Sequence, residues 1–182
     1  HKGFHADYKE IQYDRKVCMV PDGLKLSPIA QAYVRARSTD RQSSFGDFVA
    51  LSDECDESVA QFLMKEVSDG IIAPSYSDKA LELLKSKRRG NFLIIQMDPD
   101  YVPEEMETKQ VFGIKFEQKR NDAKITMDLF DDMPTKVKEI PEIAKIDLLI
   151  SMITLKYTQS NSVVYAQGGQ TLGVGAAGGI RR

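Results

Sequence analysis

Small polar residues precede two short apolar runs near the middle of the chain, at Gly46, Asp47, Asp69 and Gly70. The runs themselves are Phe48–Leu51 and Ile71–Ala73. A short apolar run bounded by turn residues is typical of a buried strand. Ligands of open α/β sheets bind just beyond the strand ends, where such turns lie. We therefore expect a binding site at these two turns.

A second candidate is the polar stretch Lys156–Ser162, which joins a predicted buried helix to a predicted buried strand. Apart from one tyrosine ring, every side chain in it is polar. Buried polar groups are costly unless they have partners. Two interpretations stay open: a loop whose hydroxyls cap neighbouring backbone groups, or an oxygen-lined pocket for a ligand or a weakly hydrated cation.

Other catalytic patterns are missing or have a simpler explanation. The only histidines are His1 and His5, and no zinc-deaminase, nucleophile-elbow or P-loop motif occurs. Gly173–Gly178 matches G-x-G-x-x-G but follows a predicted hairpin, which favours a flexible turn over a dinucleotide site. The acidic cluster Asp53–Glu57 and the basic run Lys85–Arg89 suit the two ends of helices, where such charges complement the helix dipole.

Strands and helices alternate along the chain after an irregular lead-in at residues 1–15. The sequence predicts a strand at Val17–Val20, in addition to the two central runs, and others at Phe92–Ile95, at Val111–Phe116 and in a hairpin over residues 163–174. It predicts helices opening at Ser27-Pro28, Ser58, Ser77-Asp78 and Pro141. The last of these is apolar nearly all round, which predicts a central position. The fold class is α/β, with a mixed sheet and helices on both faces.

Composition narrows the functional classes. A net charge of −2 provides no field that would gather nucleic acid or anionic lipid. No apolar run approaches the length of a membrane span, so we expect neither a membrane nor a nucleic-acid partner. Cys18 and Cys55 are too few for a disulfide framework and favour a reduced, cytoplasmic location. Because the chain starts without Met, we expect a fragment of a longer protein.

Four motifs in order carry a resemblance to a known family. They are Arg41–Ser52, Lys65–Pro74, Gln118–Asn121 and Lys156–Val163. Together they closely resemble the AICAR transformylase domain of the bifunctional purine enzyme that also carries IMP cyclohydrolase. The similarity extends from Lys16 to Gly175.

The resemblance implies a fold and a reaction. Residues 16–182 would form the first of two cytidine-deaminase-like lobes, without zinc, and the second lobe and the cyclohydrolase domain would be absent. The family transfers a formyl group from its co-substrate, 10-formyltetrahydrofolate, to the nucleotide AICAR on the way to IMP. Its active sites lie at a dimer interface, so a homodimer is implied.

The resemblance also implies roles for individual residues. Gly46, Asp69 and Asn161 would contact AICAR, and Arg181 stands in register with a nucleotide-binding arginine. A potassium ion would be held by four residues that supply only oxygen: the Leu155 carbonyl, Thr158, Ser160 and Ser162. Oxygen ligands suit a hard cation.

The family's catalytic Lys-His pair has no counterpart in this sequence, so the catalytic residues are unknown. The chain also reads Ala177-Gly178-Gly179-Ile180 where the family has Gly-Gln-Gln-Ser. We expect the full-length protein to be the transformylase and this piece alone to be inactive. The alternative is a non-catalytic lobe that binds nucleotide or a partner subunit. A Lys-His pair immediately upstream in the full-length gene product would decide for the enzyme.

Overall fold

A computed structural model of the protein describes the backbone of residues 12–176 and the side chains from Arg15 onward. The chain divides into two compact units, the first ending at Pro99 and the second beginning at Asp100. Within the described range, no helix combines the length and the apolar character that a bilayer span requires.

The first unit is built around a parallel sheet. Helices separate its strands along the chain, and β2 lies between β1 and β3. This is the α/β arrangement that the alternating pattern predicted. The elements are α1 (Gln12–Val17), α2 (Pro28–Ser38), β1 (Asp47–Ala50), α3 (Glu57–Leu63), β2 (Ser68–Ala73), α4 (Asp78–Ser86) and β3 (Leu93–Gln96).

Three helices of this unit begin after a capping side chain, and the sequence predicted two of these caps, Ser27 and Ser77. Ser27 accepts a hydrogen bond from the Ala30 amide, 3.2 Å away, and is followed by a proline at the first helical position. Asp56 and Ser77 cap α3 and α4 in the same way. A side-chain oxygen at this position satisfies an amide that the helix itself leaves unpaired. The acidic cluster is thus a helix start, as expected.

The core of the first unit lies between the sheet and helices α2, α3 and α4. Phe62, Leu63 and Ile71 are its largest fully buried side chains. The Tyr33 and Phe62 rings meet edge to face, with centroids 5.9 Å apart. At roughly 25 cal/mol per Å² of apolar surface, burial of each such side chain contributes about 2 kcal/mol.

The second unit contains two separate antiparallel hairpins and one long helix. Strand β4 pairs with β5, and β6 pairs with β7. The glycine pair Gly168-Gly169, with positive φ at both residues, forms the turn of the second hairpin, as the sequence predicted. The elements are β4 (Met106–Val111), β5 (Ile114–Lys119), a 3-10 turn (Met127–Phe130), α5 (Glu142–Lys156), β6 (Val163–Gln167) and β7 (Gln170–Gly175).

Three local predictions are wrong. Val17 ends helix α1 and Met19 lies in the turn after it, so no strand forms at 17–20. Residues 68–70 belong to strand β2 rather than to a turn. The stretch 111–116 contains a hairpin turn at Phe112-Gly113, and neither strand beside it has a buried residue.

Helix α5 is less buried than its composition predicted. Leu149 is its only fully buried residue among those the structure describes, and Ile143 is half exposed. On helix α2, the apolar residues Ala32 and Ala36 are exposed. Arg37, a charged residue of the same helix, is buried.

Candidate functional site

Gly46 ends a tight turn between α2 and β1. Its φ of +78° is a conformation that suits glycine, and a Cβ added there would meet nothing within 4 Å. The Gly46 amide donates to the Val67 carbonyl, 3.0 Å away. Earlier in the turn, the Asp40 carboxylate accepts from the Ser43 amide at 3.0 Å and from its hydroxyl at 2.7 Å. The turn is therefore fixed by hydrogen bonds while one side of Gly46 stays open.

Asp69 is the second residue of strand β2, and its side chain is 59 % exposed. Its carboxylate lies 2.7 Å from Nη1 of Arg88, which is 52 % exposed. Arg88 and Arg89 both have positive φ, an uncommon conformation for residues with a side chain. Asp69 is thus accessible and held in place by one surface ion pair.

The register of the parallel sheet brings Gly46 and Asp69 to the same end of its strands. Asp47 pairs with Ser68 and Phe48 with Gly70 in the parallel ladder. The Ser68 hydroxyl also donates to the Asp47 carbonyl at 3.0 Å. Both predicted ligand residues therefore lie at the amino end of the parallel strands. This differs from open α/β sheets, in which ligands bind at the carboxyl end.

Gly70, which the sequence grouped with the site, has a packing role in the structure. A Cβ at this position would lie 2.4 Å from Cε2 of Phe48 and 2.9 Å from Cβ of Leu93. These residues come from β1 and β3, on either side. Glycine is therefore needed here so that side chains of both neighbouring strands can approach β2.

A buried group of charges lies directly behind the turn, and the sequence patterns did not reveal it. Arg37, 3 % exposed, has its Nη1 2.6 Å from Oδ2 of Asp47 and its Nε 3.1 Å from Oε2 of Glu66. Glu66 also pairs with Arg41, at 3.0 Å. The Tyr33 hydroxyl donates to Asp47 at 3.1 Å. Burial, and secondly the charge of Asp47, raise the pKa of Tyr33, so it stays a neutral donor.

Lys87 belongs to the same region and corrects the expectation of a solvated basic run. Lys85, Arg88 and Arg89 are exposed, but Lys87 is 7 % exposed. Its ammonium donates to the carbonyl of Leu63, the last residue of α3, at 2.8 Å and to that of Glu66, three residues later, at 2.6 Å. Burial, and then the neighbouring charge of Arg88, lower the pKa of Lys87. Lys87 thus adds a charged donor to two carbonyls at the C-terminal end of α3, where cations are favourable; the Leu63 carbonyl also accepts from the Glu66 amide at 3.1 Å.

The predicted potassium ligands and Asn161 lie in the second unit, after helix α5. The Leu155 carbonyl accepts from the Thr158 amide at 3.1 Å, and the Thr158 hydroxyl donates to the Thr154 carbonyl at 2.7 Å. Ser160 and Asn161 are exposed, and Ser162 is half-buried. The loop thus includes a hydroxyl that caps a backbone carbonyl. This agrees with the interpretation of Lys156–Ser162 as a loop whose hydroxyls cap neighbouring backbone groups. It also presents oxygen atoms whose chemistry fits a hard cation. Potassium ligation stays a prediction.

Asp147 is a further residue that the sequence patterns missed. Its carboxylate accepts from the amides of Gly168 at 3.1 Å and Gly169 at 2.6 Å. Helix α5 therefore holds the turn of the β6–β7 hairpin. A carboxylate followed some twenty residues later by a glycine pair is the only sequence signal for this contact.

The remaining candidates from the sequence are the glycine-rich motif at residues 173–178 and Arg181. Gly173 and Gly175 lie in strand β7, which argues against a dinucleotide loop. Arg181 lies outside the described residues. Among the side chains that the structure describes, from Arg15 onward, no three of His, Cys, Asp or Glu are grouped closely enough to hold a metal ion.

Comparison with known proteins defines the family. The fold is a mixed α/β structure with a parallel sheet, antiparallel hairpins and flanking helices. The model of the family described as "AICARFT/IMPCHase bienzyme" matches residues 18–182. The chain therefore belongs to the AICARFT/IMPCHase family.

Three curated relatives are each called "Bifunctional purine biosynthesis protein PurH". The protein of Sinorhizobium medicae (strain WSM419) is 36% identical over 160 residues, which is 86% of this chain. The proteins of Sinorhizobium fredii (strain NBRC 101917 / NGR234) and Rhizobium meliloti (strain 1021) are each 33% identical over 160 residues, also 86% of this chain. In all three cases the chain spans 29% of the relative's length.

Proposed function

We propose that this chain is part of an enzyme of purine biosynthesis that transfers a formyl group from 10-formyltetrahydrofolate to AICAR. The family membership and the names of the relatives support a role in purine biosynthesis. The observation that carries the assignment is that Gly46 and Asp69, matched to the family's motifs, lie at one edge of the same sheet. The protein would act as a cytoplasmic homodimer.

Each residue at this edge would bind a different part of the nucleotide. The open side of Gly46 leaves room for a ring to approach the backbone, since no atom would lie within 4 Å of an added Cβ. The exposed carboxylate of Asp69 would accept from ribose hydroxyls or an exocyclic amine, exchanging its contact with Arg88 for these donors.

By resemblance to the family, Asn161 would orient the reacting amine and Arg181 would bind the nucleotide. Potassium would be held by the Leu155 carbonyl and the hydroxyls of three residues, Thr158, Ser160 and Ser162. When bound, the ion would stabilise this loop as an oxygen-lined structure. Thr158 already donates its proton to the Thr154 carbonyl, which leaves its oxygen lone pairs available as ligands.

The reaction itself needs a base. The amine nitrogen of AICAR attacks the formyl carbon, the bond from that carbon to the folate nitrogen breaks, the amine loses a proton, and the departing folate nitrogen takes up a proton. That amine is a poor nucleophile because its lone pair is delocalised into the ring and carboxamide. A base and a donor for the developing oxyanion are therefore required. Asn161 is not basic near neutral pH, so it cannot be the proton acceptor.

Calorimetry on the full-length gene product tests the proposal. Asp69→Asn should weaken AICAR binding, because the amide lacks the charge that favours ribose and amine donors. Loss of the exposed ion pair with Arg88 should cost no more than about 1 kcal/mol of stability, so the melting temperature should stay near that of the wild type.

Asp78→Asn is the matched control, because Asp78 is an exposed carboxylate in the first turn of α4, outside the predicted site. Equal AICAR affinity of the Asp69 and Asp78 variants would refute the role of Asp69. Absence of AICAR binding to the wild-type protein would refute the proposed function as a whole.

A further inference from the structure

The turn before β1 and the segment before β2 are joined through one buried side chain. Arg37 is held in α2, and its guanidinium reaches three different groups. Nη1 lies 2.6 Å from the Asp47 carboxylate, Nε donates to Glu66 at 3.1 Å, and Nη2 donates to the Val67 carbonyl at 3.2 Å. A planar fork of donors can make such contacts at once, whereas a lysine ammonium acts as a point charge.

The same two segments also bond directly to each other. The Val67 carbonyl accepts from the Gly46 amide at 3.0 Å as well as from Arg37. The backbone carbonyl of Arg37 in turn accepts from the Ser44 hydroxyl at 3.0 Å. Arg37 therefore contacts both sides of the predicted site: the turn that ends at Gly46, and the two residues that lead into β2 and Asp69.

The ion pair between Arg37 and Asp47 is short, but its hydrogen-bond geometry is poor. Nη1 of Arg37 makes no hydrogen bond of good geometry, and Oδ1 of Asp47 is buried without a hydrogen-bond partner among the described residues. Buried charges with unsatisfied atoms are costly to stability. If the Arg37–Asp47 pair only held the two segments together, apolar side chains could replace it at little cost to stability. The retention of a costly buried ion pair therefore indicates that the two segments must be held at a defined distance and orientation.

We propose that Arg37 is the positioning residue of the nucleotide site, setting the position of Gly46 relative to Asp69. The inference rests on the proposed function, since it assigns a role toward the same nucleotide. Arg37 itself is almost completely buried and would not touch AICAR. Its effect would act through the turn, and a small displacement of binding groups is enough to reduce affinity severalfold or more.

The test compares four variants of the full-length gene product by calorimetry with AICAR and by thermal unfolding. Arg37→Lys keeps the charge but loses the fork, and should raise the Kd for AICAR about tenfold. Arg41→Lys is the matched control, because Arg41 shares the partner Glu66 but donates to the Cys18 carbonyl rather than to Asp47 or Val67. Leu84→Ala, a fully buried site in α4, controls for loss of stability. Both controls should keep the Kd within about twofold of the wild type.

The fourth variant, Asp47→Asn, approaches the same contact from its other end and carries the test if Arg37→Lys does not fold. It should also raise the Kd for AICAR. An unchanged Kd in the Arg37 variant, or in Asp47→Asn if the former is unfolded, would overturn the inference. So would a rise that Leu84→Ala reproduces at equal loss of melting temperature. Failure of the wild-type protein to bind AICAR would instead reject the proposed function, and the inference with it.

Discussion

Substitution of Gly70 by alanine should destabilise the parallel sheet because the added methyl has no room. The new Cβ would lie 2.4 and 2.7 Å from two atoms of the Phe48 ring and 2.9 Å from Cβ of Leu93. The ring edge can move, since Phe48 is 46 % exposed. Cβ of Leu93 is fixed to the backbone of β3, so the strand itself must shift.

Two opposing effects determine the size of the change. Alanine in place of glycine restricts the unfolded chain, which stabilises a protein by about 0.4–1 kcal/mol where the native conformation allows it. Overpacking of a well-filled site costs about 1–3 kcal/mol. With a contact to an immobile atom, the second effect is larger, and we expect a net loss of about 1–2 kcal/mol.

Urea and thermal unfolding of Gly70→Ala and Gly173→Ala, measured side by side, test this reasoning. Gly173 is the matched control because it also lies in a strand and an added Cβ there meets nothing within 4 Å. Its variant should be neutral or slightly more stable. The double variant Phe48→Ala/Gly70→Ala should be more stable than the sum of the two single changes predicts, because removal of the ring relieves one clash. Equal stability of the Gly70 and Gly173 variants would refute the packing argument.

The remaining predictions concern titration, capping and the cation. Burial, followed by the charges of Asp56 and Glu54, raises the pKa of the Cys55 thiol to about 12. The unfolded chain releases this proton near the ordinary pKa of 9.0 while the folded chain keeps it, so the free energy of unfolding should fall by about 1.4 kcal/mol per pH unit above that value. In denaturation curves, Cys55→Ala should remove this part of the slope. Burial disfavours ionisation of Asp56, but the hydrogen bonds that it accepts outweigh burial and lower its pKa. The stabilisation by ionised Asp56 is thus present above pH 3.8, its ordinary pKa, and is lost as the pH falls through the lower pKa of the folded state. At neutral pH, Asp56→Ala should lower the free energy of unfolding in urea by about 1 kcal/mol. An equal loss at acid pH would contradict the capping role of the carboxylate. Potassium should raise the melting temperature of the full-length protein more than sodium does, and Thr158→Val should abolish the difference; equal effects of the two salts would reject the site.

The parts of the fold that the sequence predicted well depend on short-range signals. Ser27 and Ser77 cap helices because a hydroxyl before a helix needs only the amide three residues later. The Gly168-Gly169 turn follows from the φ values that a tight hairpin demands. The wrong predictions share a different cause. Residues 68–70 are small and polar, as in a turn, but pairing with Asp47 and Leu93 on neighbouring strands makes them a strand.

In the candidate site, too, the sequence identified individual residues but not the long-range contacts that bring them together. Gly46 and Asp69 could be identified from motifs, but their common position at the amino edge of the sheet depends on the pairing of β1 with β2. The burial of Arg37 and Lys87 could not be predicted, because a charged side chain in a helix is normally solvated. Glu66 lies 29 residues after Arg37 and Leu63 lies 24 residues before Lys87, and no local sequence pattern connects residues so far apart.

The three sheets also differ in the length of chain that separates paired strands, which has a consequence for the time course of folding. Two residues, Phe112 and Gly113, connect β4 to β5, whereas the bond from Ser68 to Asp47 spans 21 residues and requires helix α3 to form between them. Hairpins form in roughly 1–10 μs, and pairings between distant segments are slower because the loop must close first. An isolated two-stranded hairpin is marginally stable in water, so the early hairpin would form and open repeatedly. Durable structure would then begin with the slower event, the docking of β1 onto β2.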